Sequence, residues 1–304
     1  MNKIHLPNSF SPLPDDLFGC SLQQAIMPIL VKRGDGFRPV GTGFIIGADG
    51  VLMTAAHVVH EIAEISKQRN SDTNQSVQAY VLFATAEKHG SRGDLFGGLL
   101  PIRKMWYSTG HDIAICAIER ILQNGAPIKF PVMKLRPAPP KAGEQIIGFG
   151  YHSMDAQTLD DLTLFYSQNT AFSKGLVQTI HAVTRDSVML PFPVFQTDCR
   201  FDHGMSGGPI MDMQSTVCGV ICSSFTTPKD EIHLSYGAII WPSMALQIDV
   251  QFANRQIEKK RLFDLVSMRA VVTDQSISGV QISEHSDGTC DISFTESCSL
   301  WQFD

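Results

Sequence analysis

The stretch 41–59 reads GTGFIIGADGVLMTAAHVV, and it indicates the fold class of the chain. Two apolar runs flank Ala48-Asp49-Gly50. An Asp-Gly pair between apolar runs is typical of a β-hairpin, because it tolerates the positive φ angles of a tight turn. We expect Gly41, Thr42 and Gly43 to form a further tight hairpin with no chemical role. The stretch ends in TAAHVV, which contains His57.

Strand-like runs continue on both sides of this hairpin. They are rich in Val, Ile, Leu and aromatic residues, and they occupy 26–31, 76–84, 98–107, 112–118, 144–151, 175–183, 187–198, 215–225 and 234–241. One charged segment, 60–70, is predicted to be helical. Residues 125–141 contain five prolines, which cannot donate to a sheet ladder, so we expect an extended connector there. Two strand-rich halves around a linker predict an all-β chain with two antiparallel barrels and the active site in the cleft between them.

The pattern changes after Pro242. IEKKRLFDLVSM (257–268) predicts a helix, LQIDVQF (246–252) is left open between strand and helix, and Asp287-Gly288 predicts a last hairpin. The chain is therefore divided into five predicted parts, which are an N-terminal extension (1–19), a first barrel (20–125), a proline-rich linker (126–141), a second barrel (142–250), and a C-terminal helix with a hairpin and short tail (251–304).

Composition limits the classes of partner. Hydrophobic residues make up 43% of the 304 residues and charged residues 18%, which is ordinary for a globular protein. The net charge of −6 provides no global attraction for nucleic acid or an anionic membrane, and no apolar run reaches the ~18 residues of a membrane-spanning helix. We expect neither partner.

The seven cysteines contain no CxxC pair, so a zinc ribbon or a thioredoxin-type site is not expected, and we predict buried free thiols. The first 20 residues contain Pro7, Pro12 and Pro14, which are foreign to a secretory signal. Free thiols and the missing signal together predict a cytoplasmic location.

Three short segments carry the chemistry. They are TAAH, ending at His57; HDIAI, with Asp112; and GMSGGP, with Ser206. A serine hydroxyl needs a base to become nucleophilic, histidine titrates in the range suited to that task, and a buried carboxylate orients the imidazole. The glycines around Ser206 allow a sharp bend that aims the amides of Gly204 and Ser206 at a developing oxyanion. These residues predict a catalytic triad and an oxyanion hole. His111 is expected to face solvent.

The same segments resemble those of the chymotrypsin-fold (trypsin-like) serine peptidases. TAAHVV is similar to the family's histidine motif, DIAICAI to its aspartate strand and GMSGGPIMD to its nucleophile loop. The opening hairpin and FQTDCRFDHGMSGGP (195–209) are more similar to the bacterial HtrA-like branch than to the digestive one. The resemblance covers roughly residues 20–250 and implies a serine endopeptidase that acts on protein or peptide substrates through an acyl-enzyme, without a metal or other cofactor.

The chain departs from the family at several positions. No cysteine neighbours His57, and the stretch after Val250 is too short for the complete PDZ domain that HtrA-type enzymes usually carry. Met205 stands where digestive enzymes have an aspartate that pairs with a newly cut N-terminus. Activation by N-terminal cleavage is therefore not expected, and regulation by a protein partner is left open.

The resemblance also predicts a substrate pocket. By position, Arg200 and Phe201 lie at its base, and Ser223 and Ser224 lie on the strand beside it. Arg200 either points inward, where it would favour acidic side chains, or points to solvent and leaves a small apolar pocket; both orientations predict poor cleavage after Lys or Arg. The alternative function is a catalytically silent peptide-binding or scaffolding module on the same fold. An esterase is disfavoured by the chain order His, Asp, Ser.

Overall fold

The first half of the chain closes into a six-stranded antiparallel barrel. The computed structural model describes residues 11–12, 24–33, 36–70, 77–89, 92–119, 122–123, 126–127, 129–158, 164–226, 233–251, 256–287 and 289–295. The first seven strands are β1 (Ser11–Pro12), β2 (Ile26–Arg33), β3 (Gly36–Gly47), β4 (Val51–Thr54), β5 (Ala79–His89), β6 (Arg92–Tyr107) and β7 (Ala114–Ile118). The order of strands in the barrel is β2-β3-β4-β7-β6-β5, and β5 pairs with β2 to close it.

The predicted turn at Ala48-Asp49-Gly50 joins β3 to β4, and Gly50 has a φ of +91°. Gly41, Thr42 and Gly43 do not form the expected hairpin. They lie inside β3, paired with β2, where small residues allow close approach. A Cβ at Gly41 would lie 2.9 Å from the carbonyl oxygen of Ser206. The prediction confused glycines that make room for a neighbouring backbone with glycines of a turn.

The second half forms a second barrel from six strands, which are β10 (Gln145–Thr158), β11 (Leu164–His181), β12 (Val194–Thr197), β13 (Pro209–Asp212), β14 (Val217–Thr226) and β15 (His233–Ile239). Pairing of β11 with β12 closes the ring β10-β11-β12-β15-β14-β13, and β1 adds to this sheet by pairing with β11. The predicted all-β fold with two barrels is therefore confirmed.

Among the described residues around the linker, β8 (Leu122–Gln123) pairs with β9 (Ala126–Pro127), and an extended run follows. Leu135 is fully buried and bridges Val217 of β14 and Thr273 of the C-terminal part. The neighbouring Arg136 donates to Glu144 at 3.0 Å and to Asp212 at 3.4 Å. The linker is therefore held against the second barrel by an apolar anchor and an ion-pair network.

Two helices are described, and both differ from their predicted ranges. Helix α1 (Ala56–Asn70) begins four residues earlier than predicted, so it includes His57 in its first turn. Helix α2 (Leu262–Ser267) is shorter than predicted, because 257–261 pairs as a strand with the segment that was left open. The other C-terminal strands and 3₁₀ turns are β16 (Gln247–Gln251), β17 (Ile257–Arg261), β18 (Val280–Glu284), β19 (Cys290–Phe294), Trp241–Ala245 and Gln275–Gly279. Within the described ranges, no helix has the length and apolar character needed to span a bilayer.

Thr42 joins the two barrels at the loop that carries Ser206. It is fully buried, its hydroxyl donates to the carbonyl oxygen of Gly204 at 2.8 Å, and its amide donates to that of Ser206 at 2.8 Å. The amide of Tyr151 donates to the same hydroxyl at 3.3 Å. A residue of the first barrel therefore satisfies three backbone groups of the second.

Replacement of this hydroxyl is expected to destabilise the protein. Thr42→Val keeps the branched shape but leaves the Gly204 carbonyl without its buried donor, so the free energy of unfolding should fall by about 1–3 kcal/mol in urea titrations. Thr42→Ser keeps the hydroxyl and is the matched control, with a smaller loss. A Thr42→Val protein as stable as the native one would contradict the role of this hydrogen bond.

Candidate active site

His57 and Asp112 form a doubly connected pair. The imidazole Nδ1 lies 2.7 Å from Asp112 Oδ2, and the backbone amide of His57 donates to Asp112 Oδ1 at 2.9 Å. His57 is in the first turn of α1, and Asp112 is in the turn before β7, with 6% of its surface exposed. Both carboxylate oxygens of Asp112 therefore form hydrogen bonds with His57, and these bonds fix the orientation of the imidazole ring relative to the carboxylate.

The electrostatics leave Nε2 of His57 as the nitrogen that can accept a proton. Burial lowers the pKa of His57, but the hydrogen bond and charge of Asp112, with a contribution from Glu61, outweigh it and raise the pKa above its ordinary value. With Nδ1–H directed at Asp112, the neutral ring has its lone pair on Nε2. This is the tautomer that a general base requires.

Two further side chains, those of His111 and Cys222, lie next to Asp112; the burial of Cys222 was predicted, but its position beside this carboxylate was not. His111 is buried, not solvent-facing as expected, and its Nδ1 accepts from the amide of Ile113 at 3.2 Å. Burial lowers the pKa of His111 to about 4 despite the neighbouring Asp112, so the ring is neutral near pH 7. Burial, reinforced by the charge and hydrogen bond of Asp112, raises the pKa of the Cys222 thiol well above its usual value. Asp112 is thus bordered by two uncharged groups.

The loop around Ser206 is bent by glycines. Gly204 and Gly207 have φ angles of +97° and +84°, which side-chain-bearing residues rarely adopt. A Cβ at Gly207 would lie 2.2 Å from both the Thr42 carbonyl oxygen and Thr54 Oγ1, so only glycine fits against the first barrel. In the described part of the chain the amides of Gly204 and Ser206 donate to no acceptor. The two predicted oxyanion donors are therefore available for a ligand.

His57, Asp112 and Ser206 line one cleft of about 760 Å³ between the barrels. No hydrogen bond joins the Ser206 hydroxyl to the His57 ring, two residues that the structure describes in full. Such contacts are often long in ligand-free enzymes and tighten when substrate binds. The first-barrel wall also includes His60, Ser108 and Thr109, which the sequence patterns did not single out.

The predicted pocket residues divide into two groups. Phe201, Ser223 and Ser224 line the cleft, whereas Arg200 does not. The guanidinium of Arg200 instead donates to both carboxylate oxygens of Asp202, at 3.0 and 2.8 Å, and Asp202 itself faces the cleft. Of the two orientations considered for Arg200, the structure therefore has the one outside the pocket.

Metal-binding groups are sparse in the ranges that the structure describes, where no three His, Cys, Asp or Glu side chains are grouped closely enough to hold an ion. The described cysteines, Cys116, Cys199, Cys218, Cys222 and Cys290, are all free thiols. Cys20 and Cys298 lie outside the described residues.

Several proteins with assigned names are similar to this chain. A probable periplasmic serine endoprotease, DegP-like, from Halomonas elongata is 23% identical over 250 residues, which is 82% of this chain and 42% of that protein. A DegP-like protein of the same description from Pseudomonas fluorescens is 25% identical over 82% of this chain and 41% of its own length. Serine protease HTRA1B of Danio rerio is 26% identical over 64% of this chain and 33% of its own length. The chain thus spans less than half the length of these relatives.

Two solved structures are also similar. The protease domain of MamO from Magnetospirillum magneticum, in its apo form, has a TM-score of 0.45 and 18% identity, covering 73% of this chain and 95% of that one. Deg5 has a TM-score of 0.46 and 16% identity, covering 74% and 91%.

The expected cytoplasmic location is wrong, because the bacterial relatives are named as periplasmic proteins. Free cysteines were a poor guide to the compartment. Oxidation proceeds through the thiolate, and burial raises the pKa of Cys116 and Cys199 to about 12. Such thiols stay protonated and shielded from oxidants in any compartment.

A family model matches a continuous range that includes parts of both barrels. Residues 41–220 match the family model described as trypsin-like peptidase domain. That range is more than half of the chain and includes His57, Asp112 and Ser206. The chain therefore belongs to the trypsin-like peptidase family.

Proposed function

We propose that the protein is a serine endopeptidase that hydrolyses peptide bonds of protein or peptide substrates through an acyl-enzyme. The observation that carries this proposal is the doubly hydrogen-bonded His57–Asp112 pair, which lines the same cleft as Ser206. The amides of Gly204 and Ser206 beside it donate to no acceptor among the described residues. Family membership and relatives named as serine proteases support the same reaction class.

The proposed reaction begins when Ser206 Oγ attacks the carbonyl carbon and its proton passes to Nε2 of His57. The Asp112 carboxylate stabilises the imidazolium that forms, and the amides of Gly204 and Ser206 donate to the oxyanion. One such amide is worth about 3 kcal/mol in the transition state. His57 then protonates the leaving amine, and water releases the acyl group by the reverse proton transfers.

One edge of β14 near Ser206 is free to pair with the backbone of a substrate. β13 pairs with β14 only as far as Val220, and the loop amide of Gly207 still donates to the carbonyl oxygen of Ile221. Beyond that point, among the described residues, Ser223 and Ser224 have a strand partner only on the β15 side. We infer that the acyl portion of the substrate lies along this free edge.

Loss of Ser206 or His57 should abolish hydrolysis while the fold is retained. We expect Ser206→Ala and His57→Ala each to reduce kcat/KM by about 10⁴-fold or more, and the double variant to be little worse, because these groups act as a unit. A fluorophosphonate probe should label the native protein and not Ser206→Ala. Urea unfolding serves as the control for folding. A correctly folded native protein that resists labelling and cleaves no peptide would favour the silent peptide-binding alternative.

The pH profile should report the His57–Asp112 pair. Protonated His57 cannot accept the serine proton, and its pKa is raised, so activity should be lost on acidification at a pH above the ordinary histidine pKa. The measurement is kcat/KM against pH in the native protein. Asp112→Asn should lower the rate by about 10⁴-fold. An acid limb that lies below the ordinary histidine value would argue against this pairing in solution.

Cleavage after Lys or Arg should be poor in the native protein, because Arg200 occupies the Asp202 carboxylate that faces the cleft. Arg200→Ala should free that charge and raise kcat/KM for Lys and Arg severalfold relative to other side chains. Arg200→Lys keeps a positive charge there and is the control. A peptide library with every residue before the scissile bond makes the comparison, and strong native preference for Lys or Arg would refute the pocket assignment.

A further inference from the structure

One wall of the cleft exposes apolar side chains to water. The segment 182–193, here called the rim loop, connects β11 to β12, and its residues 188–192 line the cleft. Val188 is 81% exposed and Met189 is 59% exposed, and both belong to this wall. Exposed apolar side chains grouped beside a cleft commonly mark a binding surface.

Several hydrogen bonds within the rim loop stabilise the conformation in which these two side chains are exposed. Asp186 Oδ1 accepts from the amides of Val188, Met189 and Leu190 at 2.9, 2.5 and 3.2 Å. The hydroxyl of Thr184 donates to the carbonyl oxygens of Asp186 and Leu190 at 2.7 and 3.1 Å. Leu190 itself is buried. The loop is therefore anchored by its own hydrogen bonds in a conformation that leaves Val188 and Met189 exposed.

The rim loop lines the same cleft as Ser223 and Ser224, along which the acyl portion of the substrate is inferred to lie. The Arg185 guanidinium is 4.8 Å from the centre of the Tyr236 ring, and Tyr236 pairs with Ser223 across β14 and β15. The loop thus contacts β15, the strand that pairs with β14 on the side opposite the free edge at Ser223. His57, which must reach the leaving amine, stands on the opposite, first-barrel wall.

We propose that Val188 and Met189 form a subsite for a large apolar side chain on the N-terminal side of the scissile bond. This proposal rests on the proposed peptidase function. A peptide side chain is the occupant that the position supports, because the apolar wall lines the same cleft as Ser206 and as Ser223 and Ser224 of the free edge of β14. Burial of a leucine-sized side chain between these two residues would remove apolar surface from water on both partners.

The test uses peptide pairs that differ only by Leu or Ser, placed in turn at each position before the scissile bond. The native protein should prefer Leu at one position by about tenfold or more, the discrimination expected of an apolar pocket. Val188→Ser combined with Met189→Ser should reduce that Leu/Ser ratio to near unity. Val183→Ser is the matched control, since Val183 is 78% exposed on the same loop but does not line the cleft, and it should keep the native ratio.

A second pair of variants tests the loop anchor. Asp186→Asn keeps an acceptor oxygen for the three amides and should keep the Leu preference, whereas Asp186→Ala should lose it. Fluorophosphonate labelling is measured in parallel, because it reports Ser206 and His57 without a peptide. Labelling of every variant together with loss of the ratio only in the double variant and Asp186→Ala would support the subsite.

Three results would overturn the subsite proposal. The first is a native protein that is labelled but shows no Leu preference at any position. The second is a double variant that keeps the native ratio. The third is a native dimer that dissociates in the double variant while the ratio is unchanged, which would assign this wall to a second copy of the chain. Absence of labelling in the native protein would instead contradict the peptidase function itself.

Discussion

The contact between Thr42 and the loop of Ser206 determines how the two barrels meet. Thr42 is fully buried, and it donates through its amide to the Ser206 carbonyl oxygen and through its hydroxyl to that of Gly204. His57 and Asp112 belong to the first barrel and Ser206 to the second, so the distance between base and nucleophile depends on this junction. Gly41 and Gly207 permit it, because a Cβ at either position would meet the opposing backbone.

The surroundings of Asp112 concentrate its charge on His57. Both carboxylate oxygens bind His57, and the adjacent His111 and Cys222 are held uncharged by burial. Uncharged neighbours neither compensate nor repel the carboxylate, so His57 receives most of its effect. Next to the nucleophile the arrangement is reversed, because the Asp202 carboxylate is paired with Arg200 and presents little net charge to the cleft. The charge of Asp112 thus acts mainly on His57, whereas the charge of Asp202 is largely neutralised by Arg200.

Polar interactions also shape the rim of the cleft. Asp186 accepts hydrogen bonds from three backbone amides and thereby stabilises the rim loop, whose residues Val188 and Met189 are exposed to water. These backbone hydrogen bonds lower the pKa of Asp186, so the carboxylate stays ionised at the pH values where His57 is neutral. Asp186 can therefore accept from the three amides across the pH range in which the proposed reaction would run.

Local sequence was sufficient for most of the strands, the Asp49-Gly50 turn, the two barrels and the short motifs around His57, Asp112 and Ser206, because turn chemistry and side-chain alternation act between near neighbours. It was not sufficient for 187–193, which was predicted to be part of a strand and lies in the rim loop. It was not sufficient for Thr42, which looked like part of a glycine turn, nor for 257–261, whose strand depends on pairing with 247–251. It also failed for the burial of His111 and for the position of the buried Cys222 beside Asp112, because both follow from packing between distant segments. The direction of the Arg200 side chain and the position of Val188 and Met189 on the cleft wall were likewise decided only by the tertiary structure, because rotamers and loop placement respond to long-range contacts that a linear pattern does not contain.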